Sequence, residues 1–253
     1  MLFVGIDWAE ASHAVCVLAE DGRVLATQQI ADSAAGVSAL QQLLARHATE
    51  PSHVAIGIET DRGMVVRALR AAGYQLYAIN PLAANRYRDR HTTSRSKSDP
   101  GDAKMLADLV RTDRHNHRVL EPDSDEVEAL QVLTRTHQRL IWERGRHTNQ
   151  LRSLLREFYP GALAAVGDAL ETPVACALLR RAPTPERGRR LTVRQLMGIL
   201  RRAGRKRGIE REAQTIQAAL RAAQLEQPAV LATAYGTAVQ AQVQLLTALT
   251  SQI

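Results

Sequence analysis

Short apolar runs separated by polar segments occupy the first 85 residues and predict an alternation of strands and helices. The second and third runs flank Glu20-Asp21-Gly22, a pattern typical of a hairpin turn. One helix is predicted after its cap residue Ser33, and another covers about 62–72 and ends at Gly73. The strands are predicted at about 2–8, 12–19, 23–30, 53–59 and 75–79.

Helical periodicity dominates the rest of the chain. Residues 82–98 are polar and basic, and they are predicted to form a connecting loop. A helix is predicted from Pro100 to about Arg114, with Asp99 as its N-cap. A long helix at about 123–157 follows, and its polar face is rich in Arg. The remaining helices are predicted at about 162–181, 191–202, 209–226 and 229–253.

Two further patterns concern packing. Val239, Val243, Leu246 and Ile253 give the last predicted helix a coiled-coil-like seam. Both tryptophans, Trp8 and Trp142, are assigned to packing, with stacking on a nucleobase as the alternative for Trp8.

Four acidic residues stand at positions where they can meet. Asp7 ends the first predicted strand, Glu59 ends the fourth, and Asp99 and Asp102 lie at the start of a helix. Each alone is compatible with ordinary capping of a strand or helix end. Together they predict a site for Mg²⁺ or Mn²⁺, since carboxylate oxygens without nearby Cys or His suit these hard cations. Such ions serve in the cleavage and joining of phosphodiesters, so we assign the four acids a catalytic and metal-binding role.

Charge is distributed unevenly along the chain. Residues 1–85 carry 5 basic and 8 acidic side chains, whereas residues 86–253 carry 28 and 18. A GC-rich genome would explain why 30 of the 33 basic residues are Arg, but it would enrich Arg everywhere and so does not explain the asymmetry. The asymmetry favours a polyanionic partner. The candidate nucleic-acid contacts are Arg86, Arg88, Arg90, Arg95, Lys97, Arg139, Arg146, Arg201, Arg202, Arg205, Lys206 and Arg207.

The order of predicted elements is that of an α/β, ribonuclease-H-like fold with a mixed sheet and flanking helices, followed by an α-helical, coiled-coil region. The segments Val4-Gly5-Ile6-Asp7-Trp8, Ile58-Glu59-Thr60 and Lys97-Ser98-Asp99-Pro100-Gly101-Asp102-Ala103 resemble the transposases of the IS110 insertion-sequence family. The resemblance is specific over residues 1–157, which correspond to the family's Asp-Glu-Asp-Asp domain of Holliday-junction-resolvase (RuvC-like) type. Residues 158–253 are expected to be the basic helical and coiled-coil connection.

The resemblance implies that Asp7, Glu59, Asp99 and Asp102 bind Mg²⁺ in a recombinase that excises and inserts its element. It also implies DNA and an element-encoded guide RNA as partners, and we expect a homo-oligomer formed through the C-terminal helices. The family continues into a domain with a nucleophilic serine, whereas this sequence ends at Ile253. We therefore expect a truncated or split copy that performs little complete recombination alone.

Two other functions are left open by the sequence. One is a non-catalytic nucleic-acid-binding fragment that pairs with or regulates a full-length transposase, and the other is a stand-alone resolvase-like nuclease. Cys16 and Cys176 have no metal-ligand spacing and predict core thiols in a reducing cytoplasm. No apolar run is long enough for a membrane span, and no signal peptide is recognised at the start, so we expect a cytoplasmic protein without a membrane partner.

Overall fold

Residues 1–91, 98–121 and 123–253 are described by a computed structural model of the chain. Contacts divide it into two compact units, the sheet unit Met1–Ser124 and the helical unit Asp125–Ile253. By its contacts, the long helix Asp125–Phe158 belongs to the helical unit. No helix in the described part of the chain is long and apolar enough to cross a membrane.

The sheet unit contains one mixed five-stranded sheet in the order β3-β2-β1-β4-β5. The first three strands pair antiparallel, and β4 and β5 are added in parallel to β1. This arrangement confirms the predicted ribonuclease-H-like fold class. The strands are β1 Leu2–Asp7, β2 Ser12–Leu18, β3 Val24–Ala31, β4 Val54–Ile58 and β5 Gln75–Ala78.

Helices cover both faces of the sheet and form the whole second unit. Ser33 caps α1 as predicted, because its Oγ accepts a hydrogen bond from the Gly36 amide at 3.1 Å. The helices in the described residues are α1 Ala34–Ala45, α2 Met64–Ala71, α3 Pro81–His91, α4 Asp99–Asp113, α5 Asp125–Phe158, α6 Pro160–Val166, α7 Pro173–Arg181, α8 Pro185–Arg189, α9 Val193–Arg202, α10 Ile209–Arg221 and α11 Ala229–Gln252.

Alternate residues of β1 enter two different cores. Val4 and Ile6 pack with the side chains of α1 and α2 on one face of the sheet. Phe3 lies on the other face, in the core to which α4 contributes Leu106. Because side chains alternate along a strand, Gly5 and Asp7 share the α4 face with Phe3. The alternation of side chains along β1 thus places Asp7 on the face of the sheet that α4 covers.

The helical unit has its own core, in which the second half of α5 packs against α11. Leu151 and Leu155 of α5 are fully buried in it. Of the predicted seam on α11, Val239, Val243 and Leu246 are likewise buried, and Ile253 is partly exposed. His147 contacts Gln242 and Glu157 contacts Tyr235, so the two helices run antiparallel.

Predictions for four segments or residues were wrong. Residues 82–91, part of the segment 82–98 that was predicted to be a loop, lie in α3, and residues 92–97 of that segment are outside the described residues. Trp142, assigned to packing, is 67% exposed. The signal for α3 was present in Asn80-Pro81, because the Asn80 side chain accepts a hydrogen bond from the Leu82 amide at 2.8 Å and proline suits a first helical turn. Helix α10 ends at Arg221, short of the predicted 226. The N-cap of α4 is Ser98, whereas Asp99 was predicted, because the helix begins one residue earlier than expected.

The other core assignments agree with the structure. Cys16 and Cys176 are buried free thiols. Trp8 stacks on the buried His13 ring with the ring centroids 4.2 Å apart, and it also packs against the core next to α1 and α2.

Candidate functional site

Asp7 and Glu59 follow equivalent positions on two neighbouring strands. Strands β1 and β4 are parallel with Gly5 opposite Gly57 and Ile6 opposite Ile58. Asp7 ends β1, and Glu59 is the first residue after β4. Since Ile58 lies in the core next to α1 and α2, the alternation assigns Glu59 to the opposite face, the α4 face, together with Asp7.

Helix α4 crosses the sheet unusually close to these two strand ends, because two glycines make room for it. A Cβ atom on Gly5 would lie 1.9 Å from the Ala103 carbonyl oxygen, and one on Gly57 would lie 2.5 Å from Val110 Cγ2. Any side chain at Gly5 would therefore push the helix backbone away from β1. This close approach brings the first turn of α4, with Asp99 and Asp102, toward Asp7.

The pKa of Asp7 reflects its burial and the nearby charges of the other three acids. The pKa of Asp7 is raised from 3.8 to about 6, first by burial and then by the negative charges of Asp102, Glu59 and Asp99, in that order. The Arg88 guanidinium acts in the opposite direction. We call these four carboxylates the acid cluster: Asp7, Glu59, Asp99 and Asp102.

The chemistry of the acid cluster fits a hard divalent cation. Burial and then repulsion among the carboxylates raise the pKa of Asp7, and a cation between them would relieve that repulsion. Carboxylate oxygens are the ligands that Mg²⁺ and Mn²⁺ prefer. Among the residues that the structure describes, no three acidic, His or Cys side chains are gathered closely enough to hold an ion as they stand. Binding would therefore require the carboxylates to move closer together.

Arg88 of α3 reaches into the acid cluster. Its Nη2 lies 2.7 Å from Asp102 Oδ1, and both side chains are largely buried, with 18% and 20% exposed. Asn85 one turn earlier also accepts a hydrogen bond from Arg88, at 3.3 Å. The sequence assigned Arg88 to a nucleic-acid phosphate, whereas in the structure it is the basic partner of a candidate metal ligand.

Arg86 and Arg90, also on α3, line a cavity of about 370 Å³ in the sheet unit. His117 lies in the same cavity wall, and its Nε2 is 3.8 Å from Asp113 Oδ2. Sequence reasoning gave His117 no role, because only the fold brings it beside α3. Arg95 and Lys97, the two remaining candidates of this segment, lie outside the described residues.

The basic candidates of the helical unit are on its surface. Arg139 and Arg146 are exposed on α5, and Arg201 and Arg202 are exposed at the end of α9. The turn into α10 carries three more exposed basic residues, Arg205, Lys206 and Arg207. Gly204 and Gly208 bracket them with positive φ angles of 87° and 62°, which glycine adopts without strain. Of the three, Arg205 pairs with Glu212 at 3.2 Å.

Comparisons with known proteins agree with these observations. Residues 4–160 match the family DEDD_Tnp_IS110, described as a transposase. The chain is 44% identical over 239 residues to the "Mini-circle putative transposase for IS117" of Streptomyces coelicolor, which covers 93% of this chain and 58% of that protein. It is 31% identical over 202 residues to "Putative transposase y4uE" of Sinorhizobium fredii, which covers 79% and 56%. The chain thus spans between half and two thirds of the length of these relatives.

Proposed function

Because this chain belongs to the IS110 transposase family, we propose that its acid cluster is a divalent-metal centre for cleaving and transferring DNA strands. The observation that carries the proposal is geometric: Asp7 and Glu59 lie at the ends of paired strands on the α4 face of the sheet, and Gly5 lets the first turn of α4 approach them closely. The raised pKa of Asp7, due to burial and to the other three acids, supports it. Mg²⁺ or Mn²⁺ bound there would stabilise charge on the phosphate oxygens during strand cleavage.

The residues of the cluster contribute differently. Asp7 and Glu59 are held at the ends of paired strands, so the sheet sets their separation. Asp99 and Asp102 are one turn apart on α4, and their distance from the strands is set by the contact of α4 with Gly5 and Gly57. Arg88 offsets the charge of Asp102, and a bound cation would compete with it for that carboxylate.

DNA, and a guide RNA beside it, are the partners that we propose for the basic surfaces. The helical unit carries 19 basic and 11 acidic residues, and its exposed Arg side chains suit phosphate oxygens, which they can bind in a bidentate manner. The sheet unit adds the two exposed arginines of α3, Arg86 and Arg90. Self-association through α10 and α11 is part of the same proposal. Because Val239, Val243 and Leu246 are buried within the unit's own core, such an association would use other faces of these helices.

A cleavage assay tests this proposal directly. The 253-residue chain is incubated with a labelled branched DNA and Mg²⁺, and the products are compared with those of Glu59→Gln, which keeps the size of the side chain and removes its charge. We expect Mg²⁺-dependent nicking that Glu59→Gln abolishes. If both proteins bind the DNA without nicking it, and the wild type still binds Mn²⁺, the regulatory binding fragment is favoured. Equal nicking by both proteins would contradict the metal centre.

A further inference from the structure

An exposed tryptophan on α5 stands in a row of arginines. Trp142 is 67% exposed, although large aromatic side chains are on average highly buried in proteins. We call the row the Trp142 stripe, and it consists of Arg135, Arg139, Trp142 and Arg146. Its spacings of four, three and four residues place all four side chains on one side of the helix.

The stripe faces away from the core of the helical unit. Trp142 precedes Leu151 by nine positions, or about two and a half turns, which puts the two on opposite sides of α5. Leu151 is fully buried against the rest of the unit, whereas Arg139 and Arg146 are exposed like Trp142. Packing within the helical unit therefore does not explain why a tryptophan occupies this position.

The charges around Trp142 indicate the kind of ligand. Arg139 and Arg146 lie roughly 4.5 Å and 6 Å from Trp142 along the helix axis, one on each side. Glu143 pairs with Arg146 at 3.1 Å, and Gln131 accepts a hydrogen bond from Arg135 at 3.5 Å. The Glu143–Arg146 pair is accessible to solvent, with 34% and 65% of the two side chains exposed. Ion pairs of this kind are weak, so phosphate oxygens can replace Glu143 as the partner of Arg146.

From this arrangement we propose that the Trp142 stripe binds single-stranded nucleic acid. The indole ring stacks on an unpaired base, and Arg139 and Arg146 contact the phosphates on either side of it. Duplex does not fit this mode, because its bases already stack on one another and offer no free face. The proposal rests on the proposed nucleic-acid function and specifies which form of the polymer the helical unit binds.

Fluorescence measures this stacking directly, because the chain has two tryptophans and Trp8→Phe leaves Trp142 as the sole indole. The Trp8→Phe chain is titrated with a U-tract RNA, a T-tract DNA of the same length and a duplex of that length. We expect both single strands to quench the emission and the duplex to leave it unchanged. The ratio of the two single-strand affinities shows whether RNA or DNA is preferred.

Variants of the wild-type chain then test the contribution of the ring. We expect Trp142→Ala to weaken single-strand binding about tenfold, and Trp142→Phe to retain most of the affinity because a phenyl ring still stacks. Leu133→Ala is the matched control. Leu133 is also 67% exposed on α5, but it lies nine positions from Trp142 and therefore on the opposite side. This variant should bind like the wild type.

Three results would overturn the inference. The first is that Trp142→Ala and Leu133→Ala weaken single-strand binding equally, or that neither variant weakens it. The second is a blue shift of Trp142 emission with rising protein concentration and no nucleic acid, which would assign the stripe to a protein interface. In both cases duplex binding that still depends on the arginines would leave the proposed function intact. The third, no binding of any nucleic acid, would overturn the proposed function as well.

Discussion

The two units of this chain differ in how their candidate functional residues are placed. The sheet unit, with 14 basic and 15 acidic residues, concentrates four acids where two strand ends meet a helix start. The helical unit, with 19 basic and 11 acidic residues, spreads its arginines over exposed helix faces and turns. A metal centre requires fixed backbone positions, whereas phosphate contacts tolerate long, mobile side chains. The first site should therefore be sensitive to small backbone changes and the second to net charge.

The largest expected effect comes from disturbing the backbone contact below the acid cluster. Gly5→Ala places a Cβ atom 1.9 Å from the Ala103 carbonyl, so β1 and α4 must separate. We expect the free energy of unfolding of the sheet unit to fall by about 3 kcal/mol, with loss of Mn²⁺ binding, as measured by urea denaturation and calorimetry. Gly145→Ala on α5 is the control, because nothing lies within 4 Å of its added Cβ atom. Its stability should be unchanged or slightly raised.

Charge reversal in the helical unit should affect nucleic-acid binding alone. Replacing Arg201, Arg202, Arg205 and Arg207 by Glu removes up to four phosphate contacts, so the slope of log affinity against log salt should become shallower by about three to four units for duplex DNA. The loss should be similar for every DNA sequence, and Mn²⁺ affinity should be unchanged. An unaltered salt slope would show that these residues do not contact phosphate.

A smaller effect is expected at Arg88, where a basic residue lies within the acid cluster. Arg88→Ala removes both a positive charge and a competing partner of Asp102, so Mn²⁺ affinity measured by calorimetry should rise by about three- to tenfold. Arg90→Ala is the control, because Arg90 lies two residues further along α3 and is exposed. A fall in Mn²⁺ affinity in Arg88→Ala would mean that Arg88 orders Asp102 for the ion instead of competing with it.

The last of these predictions concerns pH. The pKa of Asp7 is raised from 3.8 to about 6, so the folded protein binds this proton more tightly than the unfolded chain does. The resulting stabilisation is present in full below about pH 4 and is lost as the pH rises through about 6. The free energy of unfolding is measured as a function of pH for the wild type and for Asp7→Asn, both in EDTA. The difference between the two should isolate this dependence. A difference that does not vary between pH 4 and 7 would contradict the raised pKa.

Much of the sheet unit could be predicted from sequence because its signals are local. Alternating apolar runs, the Glu20-Asp21-Gly22 turn and the Ser33 cap each act within a few residues, and Asp7 and Glu59 stand directly at the ends of two apolar runs. The pairing of Arg88 with Asp102 could not be predicted, because it requires α3 to pack beside α4, and α3 itself has few apolar residues. Leu133 illustrates a similar limit in the helical unit: it lies on the same side of α5 as the buried Leu151 and yet is 67% exposed, and periodicity does not reveal where a partner helix ends.

The central claim is that metal binding and nucleic-acid binding are separable, and Asp7→Asn tests it most directly. This substitution removes one carboxylate charge from the acid cluster and leaves every arginine in place. Mn²⁺ affinity and DNA affinity are measured on the same purified variant, the first by calorimetry and the second by fluorescence anisotropy with EDTA. The account predicts loss of Mn²⁺ binding with DNA affinity equal to or above that of the wild type. Wild-type Mn²⁺ binding, or a parallel loss of DNA affinity in a folded variant, would contradict it.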